Sequence, residues 1–151
     1  MIYGIVLSVR QFLALYMPEA TEVVLIRDGI TLTGKAKPFL SVQYLGTEDE
    51  LLAAGRESYE EILRFQVGVH AADVAQLLRL EEKTKTLLRR PDGIVRYTDE
   101  AVATADRFNV DVGAFTPIKN DDTSNETANH RGYFDISVKI LRNTGDTTFT
   151  Q

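Results

Sequence analysis

The stretch that decides the fold is Leu63-Arg64-Phe65-Gln66-Val67-Gly68-Val69-His70, in which apolar residues alternate with polar or small ones. A period of two is typical of a β-strand with one face buried and the other in solvent, which places His70 on the outer face. A helix is predicted directly afterwards, over 72–90, because Asp73 lies in its first turn and basic residues gather at its end. Its buried side is predicted to consist of Val74, Leu77, Leu78, Leu80, Leu87 and Leu88.

The chain opens with a second amphipathic pattern. Apolar residues recur at steps of three and four from Ile2 to Tyr16, which predicts a helix that Pro18 ends. The run is too short to span a bilayer, so no membrane partner is expected. The other side of this helix carries Leu7, Leu15 and Met17, which indicates a second contact surface.

Further strands are predicted on both sides of the central stretch. An Asp28-Gly29 turn joins two β-branched runs, the pattern typical of a tight hairpin. The remaining predicted strands cover 39–45, 94–97, 108–114 and 133–140. Strands clustered around two helices predict an α+β fold, a mostly antiparallel β-sheet with both helices packed on one face.

Two polar segments interrupt these elements and are predicted to be long loops. Residues 46–61 are acidic around a small apolar patch, and residues 118–131 are strongly hydrophilic. Residues 143–151 are predicted to be a frayed tail. With 151 residues, the chain is expected to form a single domain.

Composition excludes several classes of function. The chain has no cysteine, which excludes disulfides, a thiol nucleophile and thiolate-bound zinc. Its formal charge is −5 with a sequence pI near 5.1, which disfavours binding to nucleic acid or anionic membranes. Two histidines, His70 and His130, do not suffice for a histidine-rich metal site.

No motif for catalysis or cofactor binding emerges. The glycine spacings match neither a Walker loop nor a dinucleotide fingerprint, so no cofactor is expected. Asp121, Asp122 and Glu126 lack the spacing and the glycine of a calcium loop, so no metal is expected either. His70 is interpreted as a surface or capping residue, although a small enzyme using it with loop carboxylates remains an alternative. The chain is therefore predicted not to be an enzyme.

Surfaces are the remaining candidates for function, because long polar loops on a compact body often order on assembly. The candidate subunit or partner contacts lie in the two polar segments: Leu51, Leu52, Asp121, Asp122, Glu126, His130 and Arg131. A ring of repeated head-to-tail interfaces would bury the 51–54 patch together with the apolar side of the first helix.

This layout resembles the tail-terminator, or tail-completion, proteins of long-tailed bacteriophages, also described as minor capsid or head-to-tail joining proteins. The resemblance rests on the first helix, the strand 38–44, the acidic segment leading into 64–70, the helix 73–90 and the final strand 132–138. It is a likeness of pattern and length, because the family has no diagnostic short motif. The hydrophilic segment 119–131 and the polar tail depart from it.

The resemblance implies a structural virion component at the head–tail interface that is assembled in the host cytoplasm. It implies a hexameric ring, a homo-oligomer that caps the tail tube protein, stops its polymerisation and docks to the head connector protein. DNA would pass through an acidic lumen without specific binding, because negative walls deny phosphates the gain of counterion release. A head–tail connector (adaptor or stopper) and a tail-tube subunit are the alternatives.

Overall fold

The computed structural model describes residues 2–26, 35–51, 58–117 and 130–143. The two helices are α1 (Ile2–Tyr16) and α2 (Val74–Leu88). The strands are β1 (Val23–Leu25), β2 (Phe39–Leu51), β3 (Ser58–His70), β4 (Ile94–Tyr97), β5 (Ala103–Phe108), β6 (Asp111–Pro117) and β7 (Arg131–Asn143). The predicted Asp28-Gly29 hairpin, the segment 118–129 and the tail from 144 onward lie outside the described residues.

The main sheet has the strand order β1-β2-β3-β7-β6. Three neighbouring pairs are antiparallel, and β1 alone runs parallel to its neighbour, with Val23 opposite Leu40. Strands β4 and β5 form a separate antiparallel hairpin. The predicted α+β fold with a mostly antiparallel sheet is confirmed.

One face of the sheet forms the core with both helices. Cross-strand partners Val42, Val67 and Phe134 are fully buried. They belong to one cluster with residues of α1 and α2, which include Ile5, Val9, Phe12, Leu13, Leu77, Leu80 and Leu88. The alternation seen in 63–70 therefore predicts the core face of β3 correctly.

Helix α1 is buried on more than one side, because the β4–β5 hairpin packs against it. The Ser8 hydroxyl accepts a hydrogen bond from the Tyr97 backbone N–H at 2.7 Å and donates to the Gly4 carbonyl at 2.6 Å. The second contact surface predicted for this helix is thus largely satisfied within the chain. Leu7 and Met17 are buried, whereas Leu15 is 71% exposed.

Helix α2 begins with a reciprocal cap. The Asp73 carboxylate accepts from the Gln76 N–H, and the Gln76 side chain accepts from the Ala72 N–H, each at 2.8 Å. The predicted buried side was wrong at Val74 and Leu78, which are 55% and 56% exposed. The buried residues of α2, which include Leu77 and Leu80, form one stripe of the helix, and Val74 and Leu78 lie at its flank, so helical spacing alone could not exclude them from the core.

The prediction of a loop over 46–61 was wrong. Strand β2 continues to Leu51 and β3 starts at Ser58, with Leu51 opposite Tyr59, and only 52–57 lie outside the described residues. A β-bulge interrupts the register between Tyr44 and Gly46. The distal halves of β2 and β3 are held by backbone pairing to each other and to β7. They do not depend on apolar alternation, which is the pattern on which the prediction relied.

Two further strand boundaries differ from the prediction. The predicted strand 108–114 divides at Asn109–Val110 into the end of β5 and the start of β6, and β5 from Ala103 was missed. Strand β5 is exposed along most of its length, so it carries no apolar alternation. Arg131 and Asn143, predicted to lie in a loop and a tail, are the first and last residues of β7.

Candidate functional site

A histidine–serine pair lies on the face of the sheet opposite the helices. The His70 Nε2 and Ser41 Oγ atoms are 3.2 Å apart, and the two residues are 1% and 3% exposed. The His70 ring stacks on Phe39 at a centroid distance of 4.3 Å and meets the edge of Tyr133 at 5.9 Å. The interpretation of His70 as a surface residue was therefore wrong, because aromatic neighbours cover the outer face at this end of the sheet.

The environment of His70 keeps its imidazole neutral. Its pKa is lowered from 6.5 to about 4, chiefly by burial and in addition by the positive charges of Arg131 and Lys37. Its Nδ1 has no hydrogen-bond partner among the described residues. A serine nucleophile needs access to a substrate, and neither member of this pair reaches solvent, so the pair contributes to packing rather than to a reaction.

Gly68 makes room for the pair. A Cβ atom at this position would collide with Ser41 Oγ and would lie 3.0 Å from His70 Nε2 and 2.9 Å from the Tyr133 ring. The glycine is thus required by close packing on the outer face.

The predicted contact residues separate to opposite ends of the sheet. Leu51 ends β2, whereas His130 and Arg131 lie next to His70 at the start of β7. Tyr59, opposite Leu51, and His70 are eleven residue steps apart along β3, a distance of about 36 Å. Leu52, Asp121, Asp122 and Glu126 lie outside the described residues.

His130 forms a tight connection at its end of the sheet. Its φ is 57°, in the left-handed region, and its carbonyl accepts the Ala71 N–H at 2.9 Å. Its neighbour Arg131 stands opposite His70 in the β3–β7 register. This backbone hydrogen bond joins the start of β7 to the residues that precede α2.

Among the residues that the structure describes, the sheet has two unpaired edges at the Leu51 end. Strand β1 pairs only with 40–42, so within the described ranges β2 has no neighbour on that side from 43 to 51. On the other side of the sheet β6 pairs with β7 no further than Ser137. Residues 138–143 of β7 therefore have no neighbour on that side among the described residues. Such edges present backbone donors and acceptors to another chain.

A groove lies between α1 and the β4–β5 hairpin. Its volume is about 260 Å³, and its walls include Phe12, Leu15, Tyr16, Ala103, Arg90 and Arg107. The Arg90 guanidinium lies 4.9 Å from the centre of the Tyr16 ring and 3.4 Å from an Asp92 carboxylate oxygen. Arg107 is exposed and forms no ion pair with any described residue. The groove combines an apolar wall with two guanidinium groups.

Sequence reasoning identified one residue of this groove, Leu15, and missed both arginines. Arg90 was attributed to the helix terminus, and Arg107 lies on the strand that was not predicted. The only signal in the sequence was the excess of apolar residues on α1.

Among the described residues, no cluster of three or more histidine or acidic side chains could hold a metal ion. No helix in the same ranges is long and apolar enough to cross a membrane. The remaining candidate sites are therefore the unpaired edges and the arginine groove.

Comparison with known proteins adds no further assignment. No family model matches the chain, and its sequence matches no curated protein.

Proposed function

We propose that this protein is a structural subunit that assembles with copies of itself into a closed ring, and that the ring is a phage tail terminator. The observation that carries the proposal is that two edges of one sheet, along β2 from 43 to 51 and along β7 from 138 to 143, have no strand neighbour among the described residues. A strand edge of one copy can extend the sheet of the next, and repetition of that contact closes a ring.

The two edges differ, so the contact between copies is head-to-tail. The β2 edge carries a bulge at Leu45 and exposed apolar side chains, with Tyr44 37% and Leu45 51% exposed. The β7 edge belongs to a different strand on the far side of β3. Unlike surfaces joined by a rotation generate closed rings, whereas like surfaces generate two-fold dimers.

Charge supports passage of DNA through such a ring. The chain carries a formal charge of −5, so a ring of several copies repels the phosphate backbone rather than holding it. A terminator role also agrees with the resemblance in element order described above. The terminator would be a component of the virion, with the tail tube protein and the head connector as its partners.

Electron microscopy of the purified protein with tail tubes tests the terminator role. The expected result is density capping one end of each tube and no further growth when tube subunits are added. Long tubes formed by the protein alone would assign it as a tube subunit instead. Rings that bind a head connector and never a tube would assign it as an adaptor or stopper.

A further inference from the structure

The groove between α1 and the β4–β5 hairpin is an open surface that exposes apolar side chains. Leu15 is 71% exposed on its rim and Tyr16 is 40% exposed, although both belong to the helix that supplies the core. Exposed apolar residues beside cationic groups are typical of a surface that binds an acidic, partly apolar segment.

The same chain contains a segment with the opposite character. Residues 46–64, here called the acidic arm, carry six carboxylates and two arginines around the apolar sequence 51–54. Its described part comprises the distal halves of β2 and β3, paired from Gly46–Arg64 to Leu51–Tyr59. Asp49 is exposed, and Glu48 is held by Arg64 through two hydrogen bonds of 3.0 Å.

The described part of the arm does not line the groove of its own chain. The described groove residues belong to α1 or to the part of the chain from 90 to 107, and none comes from 46–51 or 58–64. The described arm is fixed in the sheet by β3 and β7, with Glu60 opposite Leu141 and Glu61 opposite Ile140. A second copy of the chain carries an identical arm, and the position of that arm relative to this groove is not set by the same sheet.

We propose that the acidic arm of one copy docks on the arginine groove of the next, with the carboxylates of its described strands on Arg90 and Arg107. This inference rests on the proposed ring, because it specifies one contact within the head-to-tail interface. A stable interface buries about 800 Å² per partner. The groove therefore anchors the contact, and the strand edges supply the rest of the area.

Charge complementarity favours a second copy over other occupants. The chain as a whole is acidic, so copies repel one another except where a cationic surface meets a carboxylate-rich one. Arg107 has no ion-pair partner among the described residues, and Asp92, the partner of Arg90, is an exposed side chain at a distance of 3.4 Å. Both guanidinium groups can thus form an ion pair with a carboxylate of another copy without breaking a buried contact.

A charge-swap experiment tests the docking. Arg90→Glu with Arg107→Glu reverses the two groove charges, and Asp49→Lys with Glu60→Lys reverses two of the six carboxylates of the arm. Either reversal alone is expected to raise the dissociation constant of the oligomer at least about tenfold, because like charges then face each other. The four substitutions together are expected to restore the wild-type constant to within about threefold. Light scattering over a concentration series measures the dissociation constant of the groove variant, the arm variant and the variant with all four substitutions.

The controls separate docking from folding and from general charge effects. Arg79→Glu reverses an exposed arginine on α2, outside the groove, and is expected to leave the dissociation constant unchanged. Far-ultraviolet circular dichroism and thermal unfolding establish that each variant folds. Should a reversed variant be unfolded, the milder Arg107→Gln and Asp49→Asn replace it, with a smaller loss expected.

The outcomes distinguish this inference from the proposed function. An oligomer that is insensitive to both reversals, or equally sensitive to Arg79→Glu, overturns the docking and leaves the ring standing. The docking is also overturned if the variant with all four substitutions does not regain the wild-type dissociation constant. A wild-type chain that stays monomeric at every concentration overturns the docking and the ring together. An oligomer with swap behaviour that never caps tubes supports the docking and contradicts the terminator role.

Discussion

The two ends of β3 differ although they belong to one strand of one sheet. At the His70 end both faces are covered, with the helices on one side and Phe39 and Tyr133 on the other. Towards the Ser58 end Arg64 and Glu48 form an exposed ion pair, and the flanking strands β2 and β7 have no further neighbours among the described residues. The difference indicates a division of labour, with stability concentrated at one end and open surface at the other.

Truncation of an aromatic side chain at each end gives the largest expected contrast. Phe39→Ala removes a fully buried ring stacked on His70 and is expected to lower the free energy of unfolding by about 4 kcal/mol. Tyr44→Ala removes a half-exposed ring five residues along the same strand and is expected to cost about 1 kcal/mol. Urea unfolding of both variants measures the contrast. Equal losses would contradict the division of labour.

Acid is expected to destabilise the covered end through His70. The unfolded chain binds a proton at the ordinary pKa of 6.5, whereas the folded chain binds it only near 4. Between these values the unfolded state holds more protons, so stability falls as the pH is lowered. The expected loss from His70 between pH 7 and pH 4 is about 3 kcal/mol.

The variant His70→Phe isolates this contribution from that of the carboxylates. It keeps a ring on Phe39 and cannot titrate, so its stability is expected to fall less steeply over the same pH range. The difference between the two slopes, from urea unfolding at a series of pH values, measures the histidine. Parallel slopes for the two proteins would show that His70 is not held neutral.

A methyl group at Gly68 sharpens the comparison on the outer face. Gly68→Ala drives a Cβ into Ser41 Oγ and is expected to cost about 2 kcal/mol. Ser41→Ala removes the colliding atom, so the double variant is expected to be about 1 kcal/mol more stable than the sum of the single effects. Thermal unfolding of the four proteins completes the cycle, and strictly additive losses would contradict the packing argument.

Sequence reasoning succeeded where burial on one face imposes a period. The helix Ile2–Tyr16 matches its predicted bounds, and the core residues of 63–70 were identified from their alternation. It failed at both ends of β3 for opposite reasons. The arm is too little buried to show a period of two. At the His70 end both faces of the sheet are covered, whereas alternation predicts that one face is exposed.

The candidate surfaces were less predictable than the core. Leu51 was proposed as a contact from an apolar patch in an acidic segment, and it ends a strand that has no neighbour on one side among the described residues. The groove depends on Arg90 and Arg107, which are 17 residues apart and meet only through the path of the β4–β5 hairpin. No local pattern encodes such a meeting, so this surface required the tertiary structure.

The mass of the particle in solution tests the central claim most directly. Light scattering is expected to give one closed assembly of fixed copy number for the wild-type chain. Leu45→Lys, which puts a charge on the open β2 edge, is expected to reduce it to monomers, whereas Val74→Lys, at an equally exposed site on α2, is expected to leave it intact. A wild-type monomer at every concentration, or an assembly indifferent to Leu45→Lys, would contradict the account.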